Sequence, residues 1–227
     1  MKSAVITFPG SNCDRDAVDA LQKIGSRAQR IWHQETKLDD DLDLIIVPGG
    51  FSYGDYLRSG AMAAISPVMM EVKRLSEKGV KILGICNGFQ ILTEAGLLPG
   101  VLTRNKKMKF ICRTMNLRVE NTNSPFTKKY NRNQIIRIPI AHMDGNYFAD
   151  SATLKNLEDS DSIAFRYVNE NGNLTDEANP NGSALNIAGV FNEKKNVLGM
   201  MPHPERALDI CNGSSDGLPL FSGFLLS

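Results

Sequence analysis

The stretch from Lys81 to Gln90 reads Lys-Ile-Leu-Gly-Ile-Cys-Asn-Gly-Phe-Gln and decides the fold of this chain. Val80 to Ile85 is a short apolar run typical of a buried strand, and Asn87 to Ala95 has the spacing of a helix. Cys86 lies at the junction, with a glycine two residues away on each side. The pattern Gly-x-Cys-x-Gly has the shape of the hydrolase nucleophile elbow, in which a sharp strand-to-helix turn lifts the nucleophile clear of the backbone.

The residues around Cys86 suit a reactive thiolate. Gly84 and Gly88 are needed because a Cβ at either position would crowd the turn. The following helix directs free N–H groups and a partial positive charge toward the sulfur, which favours the thiolate. The alternative is an inert buried cysteine, as most lone cysteines after an apolar run are. The two glycines and the change from strand to helix favour the nucleophile.

Length and composition limit the possible classes of protein. The chain has 227 residues, of which 42% are hydrophobic and 22% charged, as is ordinary for a globular protein. A formal net charge of +1 indicates neither nucleic acid nor membrane as a partner. Met1 to Phe8 lacks the features of a signal peptide, and no run approaches the ~18 apolar residues of a membrane span. We therefore expect a cytoplasmic protein.

Cysteines and histidines are few. The four cysteines are widely and irregularly spaced, without Cys-x-x-Cys, so we expect neither a disulfide framework nor a metal site. A catalytic cysteine needs a base, and the chain offers three histidines for that role: His33, His142 and His203.

Strand and helix patterns alternate in the first half of the chain. Lys2 to Phe8, Arg27 to Trp32 and Leu42 to Val47 are predicted strands, whereas Asp14 to Gly25 and Ser66 to Lys78 are predicted helices. This alternation predicts a parallel α/β sheet with right-handed crossovers. Ligands of such sheets bind at the carboxyl ends of the strands. The elbow and a Pro-Gly-Gly turn after the third strand both lie at such ends, so we expect them to face one site.

The composition changes after Gly100. From Arg104 to Arg137 there are ten Lys or Arg residues and one acidic residue, Glu120. Leu117 to Glu120 and Ile135 to Ile140 alternate in the manner of antiparallel strands. The basic segment is either a solvated face or a docking surface for an acidic protein or a phosphate-bearing molecule. Nucleic acid is disfavoured because aromatic residues are not interleaved with the charges.

Three further strands are predicted in the last third of the chain, at Phe165 to Val168, Leu185 to Phe191 and Val197 to Met201. The sequence contains no repeat, low-complexity tract or evident linker. We therefore expect residues 1–227 to form a single α/β domain. Its central, mostly parallel sheet would be flanked by helices and would carry an inserted antiparallel β segment.

His203 follows the last predicted strand and lies between two prolines, which stiffen the loop. Glu205 is two residues on, and such positions of an extended segment project to the same side. Glu205 can therefore orient the His203 ring, as the third member of a Cys-His-acid triad does. Taken separately, His203 would fill a strand end and Glu205 would be a solvated carboxylate. Their rigid spacing, together with the elbow, favours the triad.

A thiolate that attacks an amide needs hydrogen-bond donors for the oxyanion that forms. One candidate is the backbone N–H of Asn87, which follows Cys86. The other is the pair Gly49-Gly50, where the backbone can approach a substrate closely. On its own, the glycine pair would be interpreted as a simple turn.

Together these motifs resemble the class I, or triad, glutamine amidotransferases. Two segments carry the likeness: the elbow from Gly84 to Gln90, and Pro202-His203-Pro204-Glu205. Within that family, nearly the whole chain is similar to the glutaminase subunits of phosphoribosylformylglycinamidine synthase, an enzyme of purine biosynthesis. The family commonly has His-Gly-Glu-Gly where this chain has His142-Met-Asp-Gly145. The stretches that carry the closer likeness are Phe8-Pro-Gly-Ser-Asn-Cys-Asp-Arg-Asp16, Pro48-Gly-Gly-Phe-Ser-Tyr-Gly-Asp-Tyr-Leu-Arg58, Leu117-Arg-Val-Glu-Asn121 with Ser124-Pro-Phe-Thr127, and Pro139-Ile-Ala-His142.

The resemblance implies the flavodoxin-like fold of these amidotransferases and a role for each site residue. Cys86 would attack the side-chain amide of glutamine. His203, oriented by Glu205, would protonate the leaving ammonia and then activate water against the thioester. The backbone N–H groups of Gly50 and Asn87 would form the oxyanion hole. The residues implied to bind substrate are Gly49 and Gln90.

The resemblance also implies partners. Ammonia would pass to a separate synthetase subunit, which binds ATP with Mg²⁺ and converts formylglycinamide ribonucleotide (FGAR) to formylglycinamidine ribonucleotide (FGAM). A small third subunit would complete the complex. We expect no cofactor or metal on this chain, which has no Gly-x-x-x-x-Gly-Lys-Ser/Thr phosphate loop.

Two other functions stay open. One is a class I glutaminase that serves a different synthetase. The stretches Phe8 to Asp16 and Pro48 to Arg58 disfavour this function. The other is a non-catalytic regulatory subunit, which the intact Cys86, His203 and Glu205 disfavour.

Overall fold

A computed structural model describes residues 1–226, so Ser227, the last residue of the predicted domain, lies outside the described residues. The strands in this part of the chain are β1 (Lys2–Thr7), β2 (Arg27–Trp32), β3 (Leu44–Val47), β4 (Lys81–Ile85), β5 (Val101–Thr103), β6 (Ile111–Val119), β7 (Ile135–His142), β8 (Asn146–Phe148), β9 (Ile163–Val168), β10 (Ile187–Phe191) and β11 (Val197–Met200). The helices are α1 (Asp14–Lys23), α2 (Ala61–Ala64), α3 (Pro67–Glu77), α4 (Asn87–Glu94), α5 (Ser151–Asp159) and α6 (Leu218–Gly223).

The described strands form one large mixed sheet and one small sheet. The large sheet has the order β2-β1-β3-β4-β11-β10-β9-β6-β7, and β5 pairs with β8 in the small antiparallel sheet. The five strands from β2 to β11 run parallel, and the remaining four are added antiparallel. The predicted fold class is confirmed. The predicted inserted segment is the hairpin β6–β7, which extends the large sheet through β9.

Several elements were not predicted because their sequence patterns are weak. β6 begins at Ile111, well before the predicted start at Leu117, because its first residues are mostly exposed and show no apolar alternation. Helix α5 buries only Leu157 fully. The elements α2, β5 and β8 have three or four residues each, too few for a periodic pattern. None of the helices within residues 1–226 is both long and apolar enough to cross a membrane.

Helix α4 packs closely over the centre of the large sheet. It contacts β3, β4 and β11, and every residue from Asn87 to Thr93 is buried. A Cβ on Gly88 would lie 1.8 Å from the carbonyl oxygen of Val47, and a Cβ on Gly84 would lie 2.5 Å from a methyl group of Leu92. The prediction that the elbow requires both glycines is therefore confirmed, and the contact with β3 is the tighter constraint.

The sheet places three loops side by side. Adjacent strands β3, β4 and β11 are parallel, with Val47 level with Gly84 and Met200 level with Ile85. Their carboxyl ends therefore lie at the same edge of the sheet. The loops that begin there carry Gly49-Gly50, Cys86 and His203, which is the arrangement expected for a site at strand carboxyl ends.

We predict that Gly88→Ala lowers the free energy of unfolding by about 3 kcal/mol, because the new Cβ must push α4 away from β3. Gly79→Ala is the matched control. An added Cβ there would meet nothing within 4 Å, so only its φ of +91° opposes the change, at about 1 kcal/mol. Urea unfolding of both variants tests this expectation. Equal losses of stability would show that the contact with Val47 is not the constraint.

Candidate active site

Cys86 adopts a backbone conformation that is rare for a non-glycine residue, with φ of 52° and ψ of −107°. Its N–H donates to the carbonyl oxygen of Met200 on β11 at 2.8 Å. Its own carbonyl oxygen accepts from the N–H groups of Phe89 and Gln90 in α4. The neighbouring strand and the helix thus hold the strained residue in place, and the predicted sharp turn is confirmed.

His203 and Glu205 form a close, buried pair. His203 Nδ1 lies 2.6 Å from Glu205 Oε1, and the side chains are 2% and 0% exposed. The backbone N–H of His203 donates to the carbonyl oxygen of Pro139 on β7 at 2.8 Å. The predicted hydrogen bond is confirmed, but the predicted extended segment is wrong. Pro204–Arg206 form one turn of 3-10 helix, which proline at its first position favours, and Glu205 reaches the ring from within that turn.

The two buried histidines of this region differ in charge. Burial alone lowers the pKa of His203, but the Glu205 carboxylate and the Cys86 sulfur outweigh burial and raise the pKa of His203 well above its ordinary value. For His142, burial and then the nearby His203 lower the pKa to about 4. At neutral pH, His203 is therefore a cation beside Cys86, whereas His142 is neutral.

Cys86, His203 and Gly50 line one cavity of about 250 Å³. Glu205 lies behind His203 rather than at the cavity surface. The predicted convergence of the elbow and the Pro-Gly-Gly turn is thus confirmed. The other lining residues are Asn12, Cys13, Phe51, Phe110, Cys112, Ala141 and Arg206.

The glycine loop is packed tightly against the triad residues. A Cβ on Gly49 would lie 2.8 Å from His203 Cε1, and Gly50 has a φ of +150°, which disfavours other residues. Within residues 1–226, the backbone N–H groups of Gly50 and Asn87 make no hydrogen bond. Gly50 lines the same cavity as Cys86, and Asn87 follows Cys86 directly, so the predicted oxyanion hole stays a prediction that this arrangement accommodates.

Comparisons with known proteins agree with this geometry. The family of CobB/CobQ-like glutamine amidotransferase domains matches residues 1–216. The phosphoribosylformylglycinamidine synthase subunit PurQ of Zymomonas mobilis is 58% identical over 226 residues, covering 99% of this chain and 98% of that protein. The chain belongs to this family of glutamine amidotransferases, among the PurQ subunits. It is therefore an enzyme of the amidotransferase type.

Solved structures support the same assignment. A chain of the PurLQS structure from Thermotoga maritima is 45% identical, with a TM-score of 0.87, and the match covers 99% of this chain and 97% of that chain. The glutaminase domain of CTPS from Trypanosoma brucei is 13% identical with a TM-score of 0.62, covering 99% of this chain and 92% of that one. The second likeness shows the fold alone.

Within this amidotransferase, Asn87 and Gln90 belong to a relay of hydrogen bonds. Asn87 Oδ1 accepts from the Ser52 N–H at 3.1 Å, and Asn87 Nδ2 donates to Gln90 Oε1 at 2.8 Å. Gln90 Nε2 donates to the Asp144 carbonyl oxygen at 2.6 Å. The relay joins the loop after β3 to the loop after β7. Gln90, predicted to bind substrate, does not line the cavity, and both ends of its amide are occupied.

Three residues that contact the site were not assigned a role from the sequence. Arg206 donates to Asp16 at 2.9 Å and to the Cys13 sulfur at 3.2 Å, which ties the His203 loop to the start of α1. The sequence did mark this region, because the stretch from Phe8 to Asp16 carries the family likeness. The role of Cys13 and Asp16 could not be deduced from it, because that role depends on contact with Arg206, which is 190 residues from Asp16 along the chain.

The three histidines allow a direct test of the charges. In ¹⁵N-histidine NMR between about pH 5.5 and pH 8, we expect His142 to stay neutral and His203 to be protonated at pH 7. In Glu205→Gln the carboxylate that raises the His203 pKa is lost, burial dominates, and the ring should be neutral at pH 7. Glu170→Gln, the same substitution at an exposed carboxylate away from the site, is the control. A wild-type His203 that titrates at or below about 6.5 would contradict the assignment.

We predict that Gln90→Met, which keeps the size of the side chain but breaks the relay, lowers kcat for glutamine hydrolysis about tenfold and leaves KM nearly unchanged. The physical reason is that Asn87, which holds the glycine loop through the Ser52 N–H, loses the hydrogen bond that fixes its own amide. Gln22→Met, the same substitution at an exposed position of α1, should retain normal kinetics. A rise in KM at constant kcat would instead favour the predicted substrate contact of Gln90.

Proposed function

We propose that this chain hydrolyses glutamine to glutamate and ammonia as the glutaminase subunit of a phosphoribosylformylglycinamidine synthase. The observation that carries the proposal is the strained Cys86 at the end of β4, facing the same cavity as His203, which is paired with Glu205 at 2.6 Å. The identity of 58% to a subunit of that enzyme over nearly the whole chain supports the choice of complex.

In the proposed mechanism, the Cys86 sulfur attacks the side-chain carbonyl carbon of glutamine. Because its pKa is raised, the His203 ring carries a proton next to the sulfur. This proton passes to the leaving ammonia. The neutral ring then takes a proton from the water that hydrolyses the γ-glutamyl thioester. The Glu205 carboxylate holds the ring orientation and stabilises its positive charge throughout.

The backbone of the glycine loop completes the proposed site. Gly50 and Asn87 would donate their N–H groups to the oxyanion, which develops only as the carbonyl is attacked. Gly49 presents backbone without a side chain next to His203, so that glutamine can approach the ring closely. The hydrogen bond from the Ser52 N–H to Asn87 holds the glycine loop in position next to the elbow.

We further propose that the ammonia passes to a synthetase subunit that binds FGAR and ATP with Mg²⁺, and that a small third subunit completes the complex. The PurLQS structure of Thermotoga maritima supports a synthetase partner. No cofactor is proposed for this chain, and the cytoplasm stays our prediction for its location.

The basic segment suits a role in docking. Lys106, Lys107 and Lys109 are exposed, and the loop that carries them ends at Phe110, which is half exposed and lines the site cavity. A partner seated on this loop would therefore cover the mouth of the cavity and keep ammonia from bulk water. This geometry favours docking over the solvated-face alternative.

The test is the reconstituted complex, assayed for FGAM formation with either glutamine or ammonium salt. We expect Cys86→Ala to lower the glutamine-dependent rate at least about 10³-fold and to leave the ammonia-dependent rate nearly unchanged. Cys211→Ala, an exposed cysteine away from the site, should behave as the wild type. If Cys86→Ala still hydrolyses glutamine, Cys86 is not the nucleophile. Glutamine hydrolysis without any FGAM would indicate a different synthetase.

A further inference from the structure

A second thiol lies beside the triad. Cys13 Sγ, a ring nitrogen of His203 and a carboxylate oxygen of Glu205 all lie within 4.8 Å of one another, and all three residues are buried. Cys13 comes from the loop between β1 and α1, nearly two hundred residues before His203 in the sequence. Cysteine spacing gave no sign of this cluster, because the fold alone assembles it.

The position of Cys13 is fixed by several contacts. Its N–H donates to the Gly49 carbonyl oxygen at 3.2 Å, its sulfur accepts from Arg206 at 3.2 Å, and its S–H donates to Asn12 Oδ1 at 3.1 Å. A Cβ on Gly49 would lie 3.1 Å from the Cys13 sulfur and 2.8 Å from His203 Cε1. The thiol is therefore held close to the imidazole by backbone as well as by side chains.

Two of the three groups have donor atoms to spare. Within residues 1–226, His203 Nε2 and Glu205 Oε2 are buried and have no hydrogen-bond partner. Buried polar atoms are nearly always paired, so unpaired ones indicate that another group binds there at some stage. Catalysis accounts for His203 Nε2, which must exchange a proton with substrate, but it does not account for Glu205 Oε2.

We propose that Cys13, His203 and Glu205 form an inhibitory site for a thiophilic divalent ion of the zinc class. A thiolate, an imidazole and a carboxylate are the ligands that Zn²⁺ takes, with water in the fourth position. Ligand atoms of a tetrahedral zinc site lie about 3.4–3.8 Å apart, and those of the cluster lie within 4.8 Å of one another, so side-chain shifts of about 1 Å complete the site. Mg²⁺ and Ca²⁺ are disfavoured because the cluster offers them one oxygen-bearing residue.

Binding consumes the groups that the glutaminase needs. The metal replaces the Cys13 thiol proton and the proton on the engaged nitrogen of His203, and both protons are released to solvent. With the imidazole bonded to metal, no proton can pass to the leaving ammonia. The inhibition rests on the proposed function, whereas the binding does not, and the two are measured separately.

Binding is tested on the purified chain with ZnCl₂ against a chromophoric chelator, and with Co²⁺ as a spectroscopic substitute. We expect one tight site, a sulfur-to-cobalt charge-transfer band, and loss of the band with at least about tenfold weaker zinc binding in Cys13→Ser. Cys211→Ser is the matched control and should bind as the wild type. Retention of the band in Cys13→Ser, or its loss in Cys86→Ser instead, would overturn the proposal.

If Cys13→Ser folds poorly, X-ray absorption at the zinc K edge identifies the ligands of zinc bound to the wild-type chain, without any variant. One sulfur and several nitrogen or oxygen neighbours support the site, whereas no sulfur neighbour rejects it. In the glutaminase assay, the zinc concentration for half-inhibition should rise at least about tenfold in Cys13→Ser, relative to the zinc-free rate of that variant. Tight binding without inhibition would retain the metal site and reject its proposed effect on the triad.

Discussion

The contact between Gly88 and the carbonyl group of Val47 is the constraint on which the rest of the site depends. It sets α4 directly against the end of β3, where any side chain larger than hydrogen would separate them. Because α4 starts immediately after Cys86, this contact also fixes the angle at which the chain leaves β4. The strain at Cys86 is thus maintained by packing elsewhere, which is how proteins keep a reactive residue in an unfavourable conformation.

Parallel pairing turns that local geometry into a site. β4 lies between β3 and β11, so the loop on each side of Cys86 begins at the same level of the sheet. One neighbour supplies backbone N–H groups at Gly50, and the other supplies His203 with its carboxylate. Burial would deprive His203 of its proton, and the Glu205 carboxylate at 2.6 Å restores it. The charge of the ring therefore depends on the same 3-10 turn that positions it.

The elbow, the triad and the strand order around them could be predicted because each is encoded within a short segment. Glycine spacing marks Cys86, and the prolines around His203 mark a rigid loop. Side-chain partners across segments were not predictable: the amide of Gln90 is used by Asn87 and the Asp144 carbonyl, and Cys13 meets Arg206. Such contacts depend on how loops distant in sequence approach one another, which no local pattern records.

The unpaired polar atoms show where the fold gives up stability. In the part of the chain that the structure describes, every buried side-chain nitrogen or oxygen without a hydrogen-bond partner lies at the carboxyl end of β3, β7 or β11, either in the loop that follows the strand or, for His142, in the last residue of β7: the residues are Ser52, Asp55, His142, Asp144, His203 and Glu205. Each such atom costs about 1–3 kcal/mol when it is left unpaired. Buried polar atoms are paired almost everywhere in native proteins, so unpaired ones gathered in one region need a functional reason. In this chain they gather at the carboxyl edge of the sheet that carries Cys86 and His203, which is where the proposed reaction has to exchange protons and hold a polar substrate.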